Sequence, residues 1–411
     1  MNTTTTTAHG ADLPLPAGAP AAARTVLSLL RRLSRGTLTV QLPDGQVQRF
    51  GDGQAPTAAI TLRNWNVCAA ALKSGDIGFA EGYIDGDWTT PHLADLLRLF
   101  LANRREIEDV IYGSWLGRLA YRVRHLLHRN SRTNSRKNIH AHYDLGNAFY
   151  ELWLDGTMNY SSAWFEGGDR SQDLAQAQHA KVRRALRMAG VQPGHRVLEI
   201  GCGWGALAEM AVREFQADLV GVTLSTEQLR HAQRRLRDFN SPAAAAEIRL
   251  QDYRDIDDGP YDAICSIEMV EAVGREYWPQ YFGAMARLLK PGGRACIQSI
   301  VIDDALWERY IRSTDFIQQY VFPGGCLPCP REFRRHAEAA GLRVVDEMAF
   351  GPDYAETLRR WRERFLAERA HVLQLGFDER FIRIWEFYLA YCEAAFDEGS
   401  IDVVQYTLQR A

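Results

Sequence analysis

The chain has 411 residues, 46% of them hydrophobic and 24% charged, enough apolar material for a full core in two domains or one large one. A net charge of −3 argues against a general nucleic-acid binder, and no apolar run approaches the length of a membrane span. Seven cysteines at irregular spacing predict reduced thiols in a cytoplasmic protein, and the N-terminus has neither the basic start nor the apolar stretch of a signal peptide.

Residues 1–24 are rich in Thr, Ala, Gly and Pro and read as a disordered tail. Residues 25–112 read as a smaller N-terminal α+β domain. It has a helix over Thr25–Leu33 and a hairpin of Thr37–Leu42 and Gln46–Phe50 around Pro43-Asp44-Gly45. A strand over Ala58–Leu62 and helices over Trp65–Ser74 and Leu93–Ala102 follow. No catalytic constellation falls in it, so a structural or lipid-positioning role is expected. Residues 113–138 form a basic amphipathic stretch and linker. Arg118, Arg122, Arg124, Arg129, Arg132, Arg136 and Lys137 alternate with Trp115, Leu116, Leu119, Leu126 and Leu127, and Trp115–Lys137 holds no acid. That pattern suits the surface of an anionic bilayer, and equally a solvated helix packing its leucines on a core.

Residues 139–411 read as the second domain. A helix over Leu174–Met188 is expected to keep Lys181, Arg183 and Arg184 on its wet face. Strands Arg196–Ile200, Asp218–Thr223, Glu247–Leu250, Ala263–Ile267 and Arg294–Ile300 then alternate with helices, which predicts an α/β, doubly wound parallel sheet. Ala305–Val321 reads as a helix rich in aromatics. Helix Arg331–Ala340, strand Arg343–Met348, helices Tyr354–Ala370 and Asp378–Phe396, and strand Val403–Leu408 complete the chain.

The centre of this domain is Arg196–Ala206. A buried strand ends at Glu199-Ile200. Gly201, Gly203 and Gly205 let the backbone turn and approach a ligand, and a helix starts at Ala206. A relaxed dinucleotide fingerprint would fit this spacing too. However, Glu199 places a carboxylate where a pyrophosphate would be repelled, and the next strand ends in Thr223 rather than in an acid for a ribose. The ligand that suits this edge is S-adenosylmethionine, which is cationic and has no phosphate. Cys326 and Cys329 form a Cys-x-x-Cys without a second pair, so no metal site is expected.

Several strings resemble the cyclopropane-fatty-acyl-phospholipid synthase family of methyltransferases. They are His142-Tyr143-Asp144-Leu145-Gly146-Asn147, Met158-Asn159-Tyr160-Ser161, Val197–Gly205, Gly221-Val222-Thr223-Leu224-Ser225, Leu250–Asp255, Leu289–Gly293 and Phe322–Pro328. The resemblance implies a class I methyltransferase (Rossmann-like) core, S-adenosylmethionine as cofactor, and the double bond of an unsaturated acyl chain in membrane phospholipid as acceptor. It implies a cytoplasmic enzyme, peripheral on an anionic membrane surface. A homodimer is left open. For the donor site it implies Tyr160, Ser161, Glu199, Gly201, Gly203, Gly205, Thr223, Gln228, Asp252 and Tyr253. Phe316, Ile317, Tyr320, Val321, Trp307 and Tyr310 are candidates to line an acyl tunnel, or are ordinary core.

In this family a bicarbonate ion is held by a cysteine, a glutamate, a histidine and a tyrosine. The glutamate matches Glu271 and the tyrosine Tyr354. The cysteine position is Ser162, the histidine position is Gln298, and Ala272 stands where a second histidine is usual. A hydroxyl and an amide can hydrogen-bond an oxyanion but do not serve as bases near neutral pH. Whether bicarbonate binds is therefore open, and so is the product: a cyclopropane, or a methyl-branched or methylene chain. Cys392 matches a further family cysteine treated as catalytic, although its apolar helical string suits a buried structural thiol. A lipid-binding protein without catalysis is the competing class, opposed by the glycine loop and Glu271.

Overall fold

The computed structural model of the protein describes residues 18–107, 145–237, 239 and 244–411. The basic stretch 113–138 and His142-Tyr143-Asp144 lie outside the described residues, as does 1–17 of the expected tail. The described chain divides into two compact units.

The first unit comprises 18–107 together with two later segments, Arg309–Val321 and Val372–Ser400. Two pieces from beyond residue 139 thus belong with the N-terminal part. Its first helix, Ala21–Leu30, begins inside the stretch expected to be tail, because Ala23, Leu27 and Leu30 have a core to face. Strands β1 (Thr37–Gln41), β2 (Val47–Gly51), β3 (Thr57–Leu62) and β4 (Trp88–Thr89) form one sheet in the order β2-β1-β3-β4. β1 and β2 are the expected hairpin, and β3 joins β1 in parallel.

Helices Asn66–Ser74 and Asp76–Asp85 are separated only by Gly75, whose φ of 65° turns the chain between them. They pack so closely that a Cβ on Gly78 would lie 2.1 Å from the Ala70 carbonyl oxygen, so only glycine fits there. Asp76 and Glu81 hold the late segments in place. Asp76 accepts from the Phe316 N–H (3.1 Å) and the Tyr391 hydroxyl (3.0 Å), and Glu81 accepts from the Tyr320 hydroxyl (2.6 Å). The single helix expected over Ala305–Val321 is instead two short ones, Trp307–Tyr310 and Phe316–Tyr320. Asp315 caps the second with a reciprocal bond from Gln318, and a capping residue stops helix propagation from upstream.

The second unit comprises 145–308, Phe322–His371 and Ile401–Ala411. Its sheet has seven strands: β5 (Arg196–Ile200), β6 (Asp218–Thr223), β7 (Ala246–Leu250), β8 (Tyr261–Ile267), β9 (Leu289–Ile302), β10 (Leu342–Ala349) and β11 (Ile401–Arg410). The order is β10-β11-β9-β8-β5-β6-β7. From β9 to β7 all neighbours are parallel, and β11 inserts antiparallel between β9 and β10. This is the doubly wound, class I methyltransferase sheet that the alternation predicts. β5 is the middle one of its five parallel strands and is fully buried beyond Arg196, as a strand covered by helices on both faces must be. The core beneath it joins Val182, Leu186, Val197, Leu207, Leu219 and Ala263. The chain reverses direction across the sheet between β5 and β8. Such a switch point leaves a crevice beyond the strands' carboxyl ends.

Candidate active site

The crevice holds a pocket lined by the turn after β5, the ends of β6 and β8, and the segment 158–161. Gly201, with φ of 84°, opens the turn, and a Cβ there would meet the Met269 side chain at 2.8 Å. Of the residues expected at a donor site, Tyr160, Ser161, Glu199, Gly201, Gly203, Thr223, Gln228, Asp252 and Tyr253 all line this pocket. Gly205 is not in the lining. It starts the helix Ala206–Arg213 with φ of 86° and packs against Ala232. Tyr160 is held by aromatic contacts, its ring centroid 5.4 Å from those of Tyr150 and Trp153 and 5.6 Å from that of Trp361.

The pocket's charges suit a cationic ligand. Glu199 is buried, and its Oε2 has no hydrogen-bond partner. Burial raises its pKa well above the usual carboxylate range, although Lys181 and Arg235 pull the other way. Bringing a positive group to that oxygen would satisfy it. Asp252, by contrast, is spent on Arg254, with Nε–Oδ1 at 2.8 Å and a second bond to Oδ2 at 2.5 Å. Lys181 is not on a wet face. It is fully buried on the helix Leu174–Met188 and reaches Ser161 Oγ at 2.5 Å. Burial lowers its pKa to about 8 against the pull of Glu268, Asp155 and Glu199. The expectation failed because the period of an amphipathic helix does not mark a lysine directed at a polar pocket.

Next to the donor pocket stands a cluster of polar groups whose centre sequence reasoning missed. Glu268 follows β8 and lines the pocket. Its Oε1 accepts from the Ser162 backbone N–H (2.9 Å) and from Gln298 Nε2 (2.7 Å), and its Oε2 from the Tyr354 hydroxyl (2.6 Å). The sheet sets up these contacts. Gln298 on β9 is in register with Ile267 on β8 and Gln405 on β11, and Gln405 Nε2 donates to Gln298 Oε1 at 3.0 Å. That bond fixes the Gln298 amide so that its donor faces Glu268. Tyr354 projects from the helix Gly351–Ala367, which Asp353 ties down by accepting the Phe165 N–H at 2.9 Å. Ser162 contributes its backbone, because its hydroxyl donates to the Ala163 carbonyl at 2.8 Å.

Glu271 sits three residues on, in the short helix Val270–Val273. Its Oε1 accepts the Ile300 N–H at 2.5 Å, and its Oε2 is sealed from solvent without a partner. Burial first, and the charge of Glu268 second, push its pKa to about 8. Burial also raises that of Glu268, opposed by Lys181 and the three donors. Glu271, Ser162, Gln298 and Tyr354 thus gather around one carboxylate, while Cys392 lies on the helix Glu379–Asp397 of the first unit. Burial pushes the Cys392 thiol far up, away from the reactive thiolate. Phe316, Ile317, Tyr320 and Val321 also belong to the first unit, where Phe316 packs on Phe387 at 4.8 Å. Trp307 stacks on Trp278 in the second. Among the described residues, no group of His, Cys, Asp or Glu is placed to hold a metal ion.

Fold and pocket define an S-adenosylmethionine-dependent methyltransferase of class I. Residues 130–406 match the family model described as mycolic acid cyclopropane synthetase, and the chain belongs to that cyclopropane synthase family. It is 40% identical over 96% of its length to tuberculostearic acid methyltransferase UfaA1 of Mycobacterium tuberculosis, covering 94% of that protein. It is 34% identical over 87% of its length to the cyclopropane-fatty-acyl-phospholipid synthase of Escherichia coli, covering 89% of it. The crystal structure of mycolic acid cyclopropane synthase CmaA1 with SAH and CTAB superposes with a TM-score of 0.62 at 33% identity. That match covers 67% of this chain and 98% of the other.

Proposed function

We propose that the chain transfers a methyl group from S-adenosylmethionine to the double bond of an unsaturated fatty acyl chain in a membrane phospholipid. S-adenosylmethionine supplies an electrophilic methyl group. Glu199, the glycine turn, Tyr160 and Ser161 hold and orient the donor. The observation that carries the reading is the pair of carboxylates, Glu268 and Glu271, beside a pocket wall of Met158, Ile267, Met269, Ala272 and Val273. An alkene is a weak nucleophile without an ionisable proton. Its methylation demands in-line positioning first, then a base for the cation left on the neighbouring carbon. Relatives named tuberculostearic acid methyltransferase and cyclopropane-fatty-acyl-phospholipid synthase support the acceptor class.

The ring product follows when the proton leaves the new methyl group as its carbon closes on the cation. A second reading is a methylene chain, formed when a hydride shifts first and a proton then leaves the methyl group, or a methyl-branched chain if a separate hydride donor then reduces that methylene. It is favoured by Gln298 and Ala272 standing where the resemblance places histidines, and by the name of the UfaA1 relative. The deciding experiment incubates purified protein with methyl-labelled S-adenosylmethionine and monounsaturated phospholipid vesicles, then identifies labelled acyl chains by gas chromatography and mass spectrometry. A ring or a branched chain separates the two readings, and absence of label from lipid with the donor still bound rejects both.

Access to the lipid is assigned to the basic stretch 115–137. Flotation with anionic vesicles should be strong at low salt and lost at high salt. Indifference to lipid charge would remove that assignment. No helix among the described residues is long and apolar enough to cross a membrane.

A further inference from the structure

The geometry points to Glu268 as the proton acceptor of this reaction, a base built into the chain in place of a bound bicarbonate ion. The inference rests on the alkene-methylation reading above and names the group that completes it.

Three observations carry it. The donors that the family resemblance would assign to bicarbonate are already engaged: the Ser162 N–H, the Gln298 amide and the Tyr354 hydroxyl all point at the Glu268 carboxylate. The residues present therefore fit a carboxylate of the chain itself and leave no such set for a free oxyanion. Secondly, Glu268 lines the donor pocket, where a proton released from the transferred methyl would emerge. An ionised carboxylate has about four acceptor positions. Three are filled by the donors, which leaves one to take a proton. Thirdly, Glu268 holds a φ of 51°. A left-handed backbone is sterically costly for a non-glycine residue. Strain of that kind persists where the surrounding structure imposes it, and it concentrates at functional sites. Met158 is another of the described non-glycine residues with positive φ, and it lines the same pocket.

The two glutamates then divide the work. Glu271, with its pKa near 8, keeps its proton at neutral pH, while Glu268, whose pKa burial also raises, is the one of the pair whose charged form three donors and Lys181 favour. Environments that separate two neighbouring acids in this way assign one as base and one as neutral partner. In the step itself, the methyl–sulfur bond breaks with its electron pair going to sulfur. The alkene π pair forms the new carbon–carbon bond and leaves the adjacent carbon cationic. Glu268 takes a proton from the methyl group, and the C–H pair closes the ring. After a hydride shift, the same proton loss gives a methylene. Glu268 ends as a neutral acid and returns its proton to solvent.

The test uses the full-length protein, the labelled-lipid assay and donor binding by calorimetry, in buffer freed of carbon dioxide and in the same buffer with hydrogencarbonate. Wild type should methylate equally in both. Glu268→Gln should lose activity by about 10²–10⁴-fold, the usual worth of a positioned base, with donor affinity within a few-fold of wild type. Glu268→Gly relieves the positive φ, and retained donor binding by calorimetry shows that it is folded. It should be inactive without hydrogencarbonate and regain part of the rate with it, a rescue that a merely structural role would not produce. Glu268→Gln or Glu268→Gly at wild-type rate in carbon-dioxide-free buffer would overturn the inference, as would a wild-type rate that depends on hydrogencarbonate. Wild type that labels no lipid would overturn the function itself, so the two failures are distinguishable.

Discussion

Each unit buries acids, but their hydrogen bonds are finished differently. In the first unit both oxygens of Asp76 are partnered. Its Oδ1 accepts the Ile77 N–H at 2.9 Å, and its Oδ2 accepts the Phe316 N–H and the Tyr391 hydroxyl. Asp315 accepts the Gln318 N–H at 2.8 Å in a helix cap. In the second unit Glu199 and Glu271 each leave one oxygen sealed and unpartnered. The pKa does not separate the sets, since burial raises Asp76 to about 7 and Asp315 to about 6, as it raises Glu271 to about 8. What separates them is the count of partners. An acid with both oxygens partnered by its own chain and no place in the donor pocket is holding segments together; Glu268, with as many donors as Asp76, is set apart by lining that pocket. An acid left incomplete beside a pocket is waiting for a ligand or a proton.

The largest effect that would sharpen this contrast is on Glu199. A charge-assisted hydrogen bond is worth about 1.5–3 kcal/mol, so Glu199→Gln should weaken S-adenosylmethionine binding about 10- to 100-fold by calorimetry. The same variant should melt no lower than wild type, because an amide is cheaper to bury than an unpaired carboxylate. A dissociation constant within threefold of wild type would place Glu199 with the structural acids.

Asp76→Ala should do the reverse. It strands the Phe316 and Ile77 N–H groups and the Tyr391 hydroxyl in a buried site, at a cost of about 1–3 kcal/mol. The melting temperature should fall by a few degrees while donor affinity stays unchanged. Loss of donor binding without loss of stability would break the comparison.

The residues that were legible in the sequence are those fixed by local pattern. Strand, glycine turn and helix over Arg196–Arg213 follow from short-range rules, and so do the boundaries of β6 and of the helices Leu174–Met188 and Leu93–Ala102. Of the nine pocket residues expected besides Gly205, Glu199, Gly201 and Gly203 followed from that pattern, and the others came from the family resemblance. Glu268 was not legible, because its importance lies in donors from three distant segments, residues 162, 298 and 354. The available signal was an acid directly after a buried strand and three residues before Glu271. Lys181 was hidden for a similar reason: its partner Ser161 lies 20 residues away on a loop. The grouping of Arg309–Val321 and Val372–Ser400 with the first unit was equally invisible, since Asp76 and Tyr391 are 315 positions apart.

The subtlest contrast is in pH. Unfolded Glu271 titrates near 4.5, and folded Glu271 near 8. Between those values the folded chain keeps a proton that the unfolded chain has lost. Its contribution is therefore fully present below pH 4.5 and drains away as pH rises to about 8. Glutamine cannot ionise, so Glu271→Gln removes that dependence. Its melting temperature relative to wild type should climb steadily from pH 5 to pH 8.5. Each kcal/mol moves the midpoint of a large domain by only about 2 °C, so the sign of the change with pH is the useful readout. The charge of Glu268 is the second cause of the raised value, so the climb should flatten when Glu268→Gln is already present. A pH-independent difference would mean that Glu271 ionises in its ordinary range, and Glu268 would then lose the neutral neighbour that lets it carry the charge alone.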